Sequence, residues 1–418
     1  MMGIDKRRAR RRKFRIAERT LFLVSLIGGS IGTLIGMYVF RHKTRHLSFV
    51  LGIPLILILQ LLLITAVFNW NQKRMGSPTQ AVEYELELIQ ELDAETIKSF
   101  VSYENITNSQ GSPDEAGDES SEAVQLFFKD FSYNILTETI EGDTATVSVN
   151  ISNIDAQSLA RDLRTIILQN SVASYPVLSS DAEPSMSDYY RLLRDTLKSN
   201  RYETTVTTAY FHLAKDQTGW SILADRQLED ELTGGFITWM NDPMLLSPEK
   251  VLSVYLDAFC EFDGAEWMDF LNISDVFATY NTDYYPLIDE EYLNQIADSF
   301  DYEILRCQTE GDTASVDVRI TSIDLKSVLT VYKKSLLDYA ATTQSLRDDN
   351  VTVSNEISRM LLEALQQNNK TASTDIVMTL SNNGKTWNVT FDEAFTNALM
   401  GDVSQAIDTF NEMTEEMF

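Results

Sequence analysis

The feature that most constrains this chain is a stretch of fifteen residues that occurs twice. Residues 141–155 are EGDTATVSVNISNID and residues 310–324 are EGDTASVDVRITSID, so ten positions are identical at an offset of 169. A self-match at so long and fixed a spacing indicates a duplicated domain. After the EGD turn, apolar and polar side chains alternate, which predicts one strand of a hairpin with a single buried face. The same strand is therefore expected twice in the fold.

The duplication extends beyond this strand. Ser77-Pro78 returns as Ser247-Pro248, and Trp220 pairs with Trp387. The two copies predict domains over residues 77–241 and 247–418, which we call the first and second repeats.

Each repeat predicts the same order of elements. The Ser-Pro pair starts an amphipathic helix, because Ser caps the first turn and Pro has no amide hydrogen to leave unpaired. A hairpin, a helical pair and two further strands follow, which is an α+β layout with a curved antiparallel sheet. The series of Ser-Pro, helix-ending Asp, GDTA hairpin and final W-x-I or W-x-V strand resembles the cystatin-like and nuclear-transport-factor-2-like (NTF2-like) domains of bacterial surface lipoproteins. That resemblance implies a ligand-holding cone with the helical pair as an insertion.

The charge of the chain divides at residue 76. Residues 1–76, here called the head, carry fourteen Lys or Arg and two acids. Their net charge is +12, so the total of −28 leaves −40 for the rest of the chain. Residues 6–15, KRRARRRKFR, stand directly before an apolar segment. We therefore expect them to contact anionic lipid headgroups and not nucleic acid.

Two uncharged apolar segments of the head, residues 20–40 and 47–70, predict a membrane hairpin of two helices. Each is long enough, at about 1.5 Å per residue, to cross a hydrocarbon core of about 30 Å. Gly28, Gly32 and Gly36 share one helix face, which predicts a helix-packing seam or, alternatively, a bent or re-entrant segment.

Basic residues on both sides of the first apolar segment bear on the topology. Positive charge near membrane ends favours the cytoplasm, and a re-entrant first segment would keep both basic clusters inside while exporting the repeats. Two ordinary spans would instead leave the repeats in the cytoplasm. The resemblance of the repeats to bacterial surface domains favours export, so we expect an integral plasma membrane protein with extracytoplasmic repeats.

The head contains GIDKRRARRRKFRIAERTL, GGSIGTLIGMYVFRHKT and FVLGIPLIL. These segments resemble a family of small prokaryotic membrane proteins, the domain of unknown function 1294. The resemblance implies an integral membrane module but no activity. Its polar signature falls on the following residues: Asp5, Lys6, Arg15, Glu18, Arg41, His42, Lys43 and Thr44.

The repeats contain no evident catalytic constellation. His212 is the one histidine outside the head, and the acidic residues of 114–122 lie in a Ser, Gly and Pro-rich stretch that matches no calcium site and predicts a solvated loop. We expect a non-enzymatic protein without metal or cofactor. Its membrane-anchored tandem domains would bind a ligand, a cell-wall component or a partner protein.

An alternative hypothesis makes the head the active part. Polar residues that border a membrane are functional candidates, and the repeats would then be regulatory. The residues that would act on or transport a lipid or ion are Glu18, Arg41, His42, Lys43 and Thr44.

Overall fold

A computed structural model describes isolated parts of the head and most of the two repeats. The described residues are 24–25, 30–39, 53, 55–58, 60, 76–93, 97, 117–173, 184–217, 219–271, 284–343 and 347–415.

The elements are numbered in chain order. The head and first repeat contain α1 (Ser30–Val39), α2 (Pro78–Gln90), α3 (Gly117–Phe127), β1 (Ser132–Glu141), β2 (Thr144–Ile154), α4 (Ala156–Ala173), α5 (Met186–Ser199), β3 (Thr204–Asp216), β4 (Gly219–Ile222), α6 (Arg226–Leu232) and α7 (Phe236–Met240). The second repeat contains α8 (Pro248–Phe259), α9 (Gly264–Phe270), α10 (Tyr285–Ser299), β5 (Asp301–Glu310), β6 (Thr313–Ile323), α11 (Leu325–Ala340), α12 (Asn350–Gln366), β7 (Thr371–Asn382), β8 (Trp387–Thr390), α13 (Glu393–Leu399) and α14 (Val403–Glu415).

Each repeat forms one four-stranded sheet in which neighbours along the chain are neighbours in space, in the orders β1-β2-β3-β4 and β5-β6-β7-β8. The predicted hairpins are confirmed. Gly142 and Gly311 take the left-handed φ angles of 64° and 59° at the two tips, which side chains with a Cβ rarely adopt. In β6, Val316, Val318 and Ile320 are fully buried, so the period-two pattern does mark a core face.

The structure also contains helices that the sequence pattern did not predict. Helix α3 begins at Gly117, within the acidic stretch expected to be a loop, and Arg194 of α5 pairs with its Glu119 at 3.3 Å. Helix α10, after the Tyr284-Tyr285 pair, is its counterpart in the second repeat. The expectation of a solvated loop is therefore wrong for residues 117–127.

Contacts between Cα atoms divide the chain into two compact units. Unit 1 consists of Met1–Leu88, Asn134–Asn150 and Ala209–Asp225, and unit 2 contains the remaining residues. The predicted domain limits of 77–241 and 247–418 stay a prediction.

Within unit 1, the Glu138 carboxylate accepts hydrogen bonds from the Thr79 amide at 2.9 Å and the Thr79 hydroxyl at 2.5 Å, so a side chain of β1 caps the start of α2.

Within unit 2, the connection from the hairpin to the following helix has the same hydrogen bonds in both repeats, and we call it the joint. The Asp155 carboxylate accepts hydrogen bonds from the amide and hydroxyl of Ser158, and Asp324 does the same for Ser327. The Asp155 amide donates to the Glu203 carbonyl at 2.8 Å, and the Asp324 amide donates to the Lys370 carbonyl at 3.1 Å. These bonds satisfy the first turns of α4 and α11.

A glycine closes each joint. Gly234 and Gly401 both have left-handed φ angles, 68° and 82°, and both lie against the strand end that precedes the joint. A Cβ on Gly234 would lie 3.5 Å from the Ala156 Cβ, whereas a Cβ on Gly401 would collide with the Ile323 carbonyl oxygen.

The core of unit 2 is rich in aromatic rings. Phe259 of α8 lies 5.2 Å from Trp267, 4.8 Å from Phe270 and 5.2 Å from Phe391, measured between ring centroids. Leu168 and Val172 of α4 belong to the same buried cluster. One apolar cluster therefore holds residues of both repeats.

The membrane part of the predicted fold is not found. In the described residues, no helix is both long enough and apolar enough to cross a bilayer. Helix α1 has ten residues, which at about 1.5 Å per residue is half of a hydrocarbon core of about 30 Å. The predicted membrane hairpin at 20–40 and 47–70, and the integral plasma membrane location that rested on it, are therefore wrong for the described chain. Many residues of segments 20–40 and 47–70 lie outside the described part of the chain.

Candidate ligand-binding cavity

The residues singled out in the head are largely beyond the described part of the chain. Glu18, Arg41, His42, Lys43 and Thr44 lie outside it, as do Asp5, Lys6, Arg15 and Gly28. Gly32 and Gly36 lie on α1, and a Cβ on Gly32 would meet no atom within 4 Å. Their role in helix packing stays a prediction.

The head contains a polar cluster that the sequence analysis missed. The Gln60 side chain donates to the Ser25 carbonyl at 2.9 Å and accepts from the Ser30 hydroxyl at 2.5 Å, while Ser25 donates to Thr33 at 2.9 Å. The sequence signal for this cluster was Gln60, a polar side chain within the apolar run ILILQLLLI. Its bonds join residues about thirty positions apart, so the partly buried cluster has a structural role.

In unit 2, four helices of the second repeat line a half-open cavity of about 410 Å³, which is within the range of small-molecule sites. Its walls are α10, α11, α12 and α14, together with the turn before α14. The lining residues are Tyr292, Leu325, Leu329, Tyr332, Leu361, Leu365, Met400, Val403, Ile407 and Phe410.

The sequence of each wall explains why it faces the cavity. In α11, Leu325, Leu329 and Tyr332 recur at intervals of four and three residues, so they share one face of the helix. Leu361 and Leu365 do the same in α12, and Val403, Ile407 and Phe410 do so in α14. The cavity therefore forms where apolar stripes of separate helices converge.

Side-chain hydrogen bonds to the main chain connect these walls. The Tyr292 hydroxyl of α10 donates to the Met400 carbonyl at 2.6 Å, and the Gln295 amide donates to the Leu365 carbonyl at 2.6 Å. Burial raises the pKa of the Tyr292 phenol, which therefore stays protonated at neutral pH. Both bonds satisfy polar groups that would otherwise be costly beside an apolar space.

One end of the cavity adjoins a buried cation. Lys333 of α11 is 4% exposed, and its ammonium group donates to the Phe410 carbonyl and lies 4.8 Å from the centroid of the Phe410 ring. Tyr332 stacks on the same ring, with centroids 6.4 Å apart and planes 18° apart. The stacked rings of Tyr332 and Phe410 line the cavity, and Lys333 lies behind them.

Other reactive side chains lie elsewhere. In the described ranges, no group of three or more His, Cys, Asp or Glu has the arrangement of a metal site. His212 lies on the exposed side of β3, 3.2 Å from the Thr146 hydroxyl. Burial, with the charges of Asp301 and Asp257, raises the pKa of the Cys260 thiol to about 11, so it is a poor nucleophile at neutral pH.

The corresponding place in the first repeat has different side chains. At the offset of 169 that relates the two joints, Ala156 and Ala160 stand where Leu325 and Leu329 line the cavity. At the offset of 167 that relates Gly234 to Gly401, Phe236 stands where Val403 is. Phe236 is fully buried, and its ring lies 5.3 Å from that of Phe127. An aromatic pair fills the interior there.

The described chain is thus an α+β protein with a helix-walled apolar cavity. Its residues 1–49 match the family described as "Protein of unknown function (DUF1294)". The uncharacterized protein YsdA of Bacillus subtilis (strain 168) is 45% identical over 69 residues, which cover 16% of this chain and 78% of YsdA. Through its head, the chain belongs to the DUF1294 family.

Neither the family nor YsdA indicates an enzymatic activity. No solved structure matches the chain. The predicted likeness of the repeats to cystatin-like and NTF2-like domains is supported by no family or structural match and is withdrawn. Its motifs, a Ser-Pro helix start and a glycine hairpin, serve local needs that many folds share.

Proposed function

We propose that this chain is a non-enzymatic binding protein whose second repeat takes up a small apolar molecule in the helix-walled cavity. The observation that carries the proposal is the lining, in which aliphatic and aromatic side chains predominate. Burying apolar surface is favourable by roughly 25 cal/mol per Å², whereas an unpaired polar group in such surroundings is costly. The cavity therefore favours a hydrocarbon-like ligand.

The non-enzymatic part of the proposal rests on the same residues. Tyr292 and Tyr332 are the titratable side chains of the lining, and the raised pKa of Tyr292 makes that phenol a weak general acid or base near neutral pH. The Tyr292 hydroxyl already donates a hydrogen bond to the Met400 carbonyl, so its role is structural.

The test uses the full chain and a fluorescent apolar probe, N-phenyl-1-naphthylamine. Titration of the wild-type protein should give a saturable rise in fluorescence. The substitution Val403→Phe introduces the aromatic ring that the first repeat has at Phe236, and it should weaken probe binding at least tenfold because it fills the cavity.

The matched control is Val331→Phe. Val331 lies on the same helix as Leu329 and is 42% exposed, so an added ring there should leave probe binding unchanged. Circular dichroism of both variants checks that the fold is retained. Absence of saturable binding to the wild-type chain, or equal binding by Val403→Phe, would contradict the proposal.

A further inference from the structure

We infer that the ligand of this cavity is a flat aromatic molecule of fused rings, which packs against the side-chain rings of Tyr332 and Phe410. The inference rests on the proposed function and adds the chemical class of the ligand. No sequence motif pointed to this pair of rings, because Tyr332 and Phe410 lie on two helices that are distant along the chain, α11 and α14.

The first argument is the share of aromatic rings in the lining. Three of the ten lining residues are aromatic, Tyr292, Tyr332 and Phe410, and they lie on three separate helices. Tyr332 and Phe410 are only half-buried, so part of each ring stays accessible. A molecule in the cavity can therefore contact aromatic rings that belong to different walls.

The second argument is the arrangement of Tyr332 and Phe410. Their ring planes are 18° apart and their centroids 6.4 Å apart, near the upper end of the range of about 4.5–7 Å for paired rings. An aromatic ring has a negative face and a positive edge, so an aromatic guest can match its face to a side-chain edge or its edge to a side-chain face. A saturated guest of the same skeleton buries its surface but offers no such electrostatic match. The pair therefore favours aromatic over aliphatic guests.

The third argument is the rest of the lining. Met400 adds a thioether, a group that makes favourable contacts with the edges of aromatic rings. The Tyr292 hydroxyl is engaged with the Met400 carbonyl, and leucines of α11 and α12 complete an apolar wall, which favours a neutral guest. A rigid fused-ring molecule also loses less conformational freedom on binding than a flexible chain does. The volume of about 410 Å³ leaves room for such a molecule.

The experiment is isothermal titration calorimetry of the full chain with 2-naphthol and with decahydro-2-naphthol. The two compounds share a carbon skeleton and a hydroxyl group, and they differ in whether the rings are aromatic or saturated. We expect 2-naphthol to bind at least fivefold more tightly, because it gains ring contacts beyond the burial of apolar surface. In Phe410→Leu, which keeps an apolar side chain but removes a ring, the ratio of the two affinities should fall at least threefold.

Ile407→Ala is the matched control. Ile407 lines the cavity from the same helix as Phe410, and the substitution removes as many carbon atoms as Phe410→Leu does but no aromatic ring. This variant should keep the preference for 2-naphthol, and circular dichroism of both variants checks the fold.

The outcomes separate this inference from the proposed function. Equal or weaker binding of 2-naphthol by the wild-type chain, or an unchanged ratio in Phe410→Leu, would overturn the inference and leave the proposed apolar binding intact. If N-phenyl-1-naphthylamine binds but neither of the two compounds does, the inference alone fails. If N-phenyl-1-naphthylamine does not bind either, both proposals fail. The comparison of the two compounds on the wild-type chain holds even if Phe410→Leu does not fold.

Discussion

The two repeats share a joint and differ in what their helices enclose. In each, an Asp caps the helix after the hairpin, and a left-handed glycine lies against the end of the strand. Behind the first joint, the ring of Phe236 packs on Phe127; behind the second, Val403 faces a cavity. The hydrogen bonds of the joint are therefore the same in both repeats. The size of the side chain at Phe236 or Val403 decides whether the space behind the joint is filled or open.

The lengths of the final helices differ as well. Helix α7 has five residues before the chain continues to Ser247-Pro248, whereas α14 has thirteen and reaches Phe410 and the Lys333 ammonium group. Among the described residues of the first repeat, α7 is thus too short to correspond to the wall that α14 forms in the second. The two copies therefore share a fold but differ in the helices that surround this position.

The largest expected effect comes from emptying the filled repeat. Phe236→Ala should lower the free energy of unfolding by about 3–5 kcal/mol, because it removes a fully buried ring and leaves a cavity. Val403→Ala, at the open position of the second repeat, should cost about 1 kcal/mol or less, because Val403 already borders empty space. Urea unfolding of both variants measures the difference, and equal losses would contradict the contrast between filled and open repeats.

The next effect concerns the two glycines. Gly401→Ala should cost about 2–5 kcal/mol, since a left-handed residue with a Cβ and a collision with the Ile323 carbonyl add together. Gly234→Ala has only the conformational cost of about 1–2 kcal/mol, because its nearest neighbour is at ordinary contact distance.

Thermal unfolding of the two glycine variants, compared with the wild-type chain, tests this order. A result in which Gly234→Ala is the more damaging would show that the two joints are not packed as described.

The shared part of the joint should give equal effects. Asp155→Ala and Asp324→Ala each remove the side-chain acceptor for two hydrogen bonds of the following serine, and each should cost about 0.5–2 kcal/mol. Asp→Asn at the same positions keeps a capping oxygen and should cost less. Urea midpoints of the four variants are the measurement, and a clear inequality between the two Asp→Ala variants would break the equivalence of the joints.

The smallest effect is a pH dependence confined to the second repeat. The Arg319 guanidinium donates to both carboxylate oxygens of Asp375, at 2.8 and 3.0 Å, and these bonds lower the pKa of Asp375 below its ordinary value of 3.8. A group whose pKa is lowered by folding stabilises the folded state above its unfolded pKa. That contribution is lost as the pH falls below 3.8 through the lower folded-state pKa.

Asn150 occupies the position of Arg319 in the first repeat, so Arg319→Asn makes the second repeat resemble the first. The carboxyl resonance of Asp375, followed by NMR across this pH range, should then titrate at a higher pH. The pair is exposed, so the change in overall stability should be slight. An unchanged titration would mean that Arg319 does not set the pKa.

The sequence predicted those features that depend on neighbouring residues along the chain. The hairpins follow from alternation and from a glycine at each tip, and the start of α8 follows from Ser247, whose side chain accepts a hydrogen bond from the Lys250 amide. Both signals are local, and both are confirmed.

The cavity could not be predicted in the same way. Its lining residues are spaced as helix faces, but the pairing of α11 with α14 depends on packing between distant segments. Helix α10, which supplies Tyr292, was not predicted at all. In the head, hydropathy depends on the composition of a segment and not on where a helix begins and ends. It therefore predicted membrane spans, whereas the described helix α1 has ten residues.

The order of the cavity walls along the chain has a consequence for synthesis on the ribosome. Tyr292 reaches its hydrogen-bond partner Met400 only after another 108 residues, which at about 5–20 residues per second takes roughly 5–20 s. During that interval the leucine stripes of α11 and α12 emerge before α14 exists to cover them. A hydrocarbon ligand that occupied this groove would shield it from aggregation, so the ligand proposed for the folded protein would also assist its folding during synthesis.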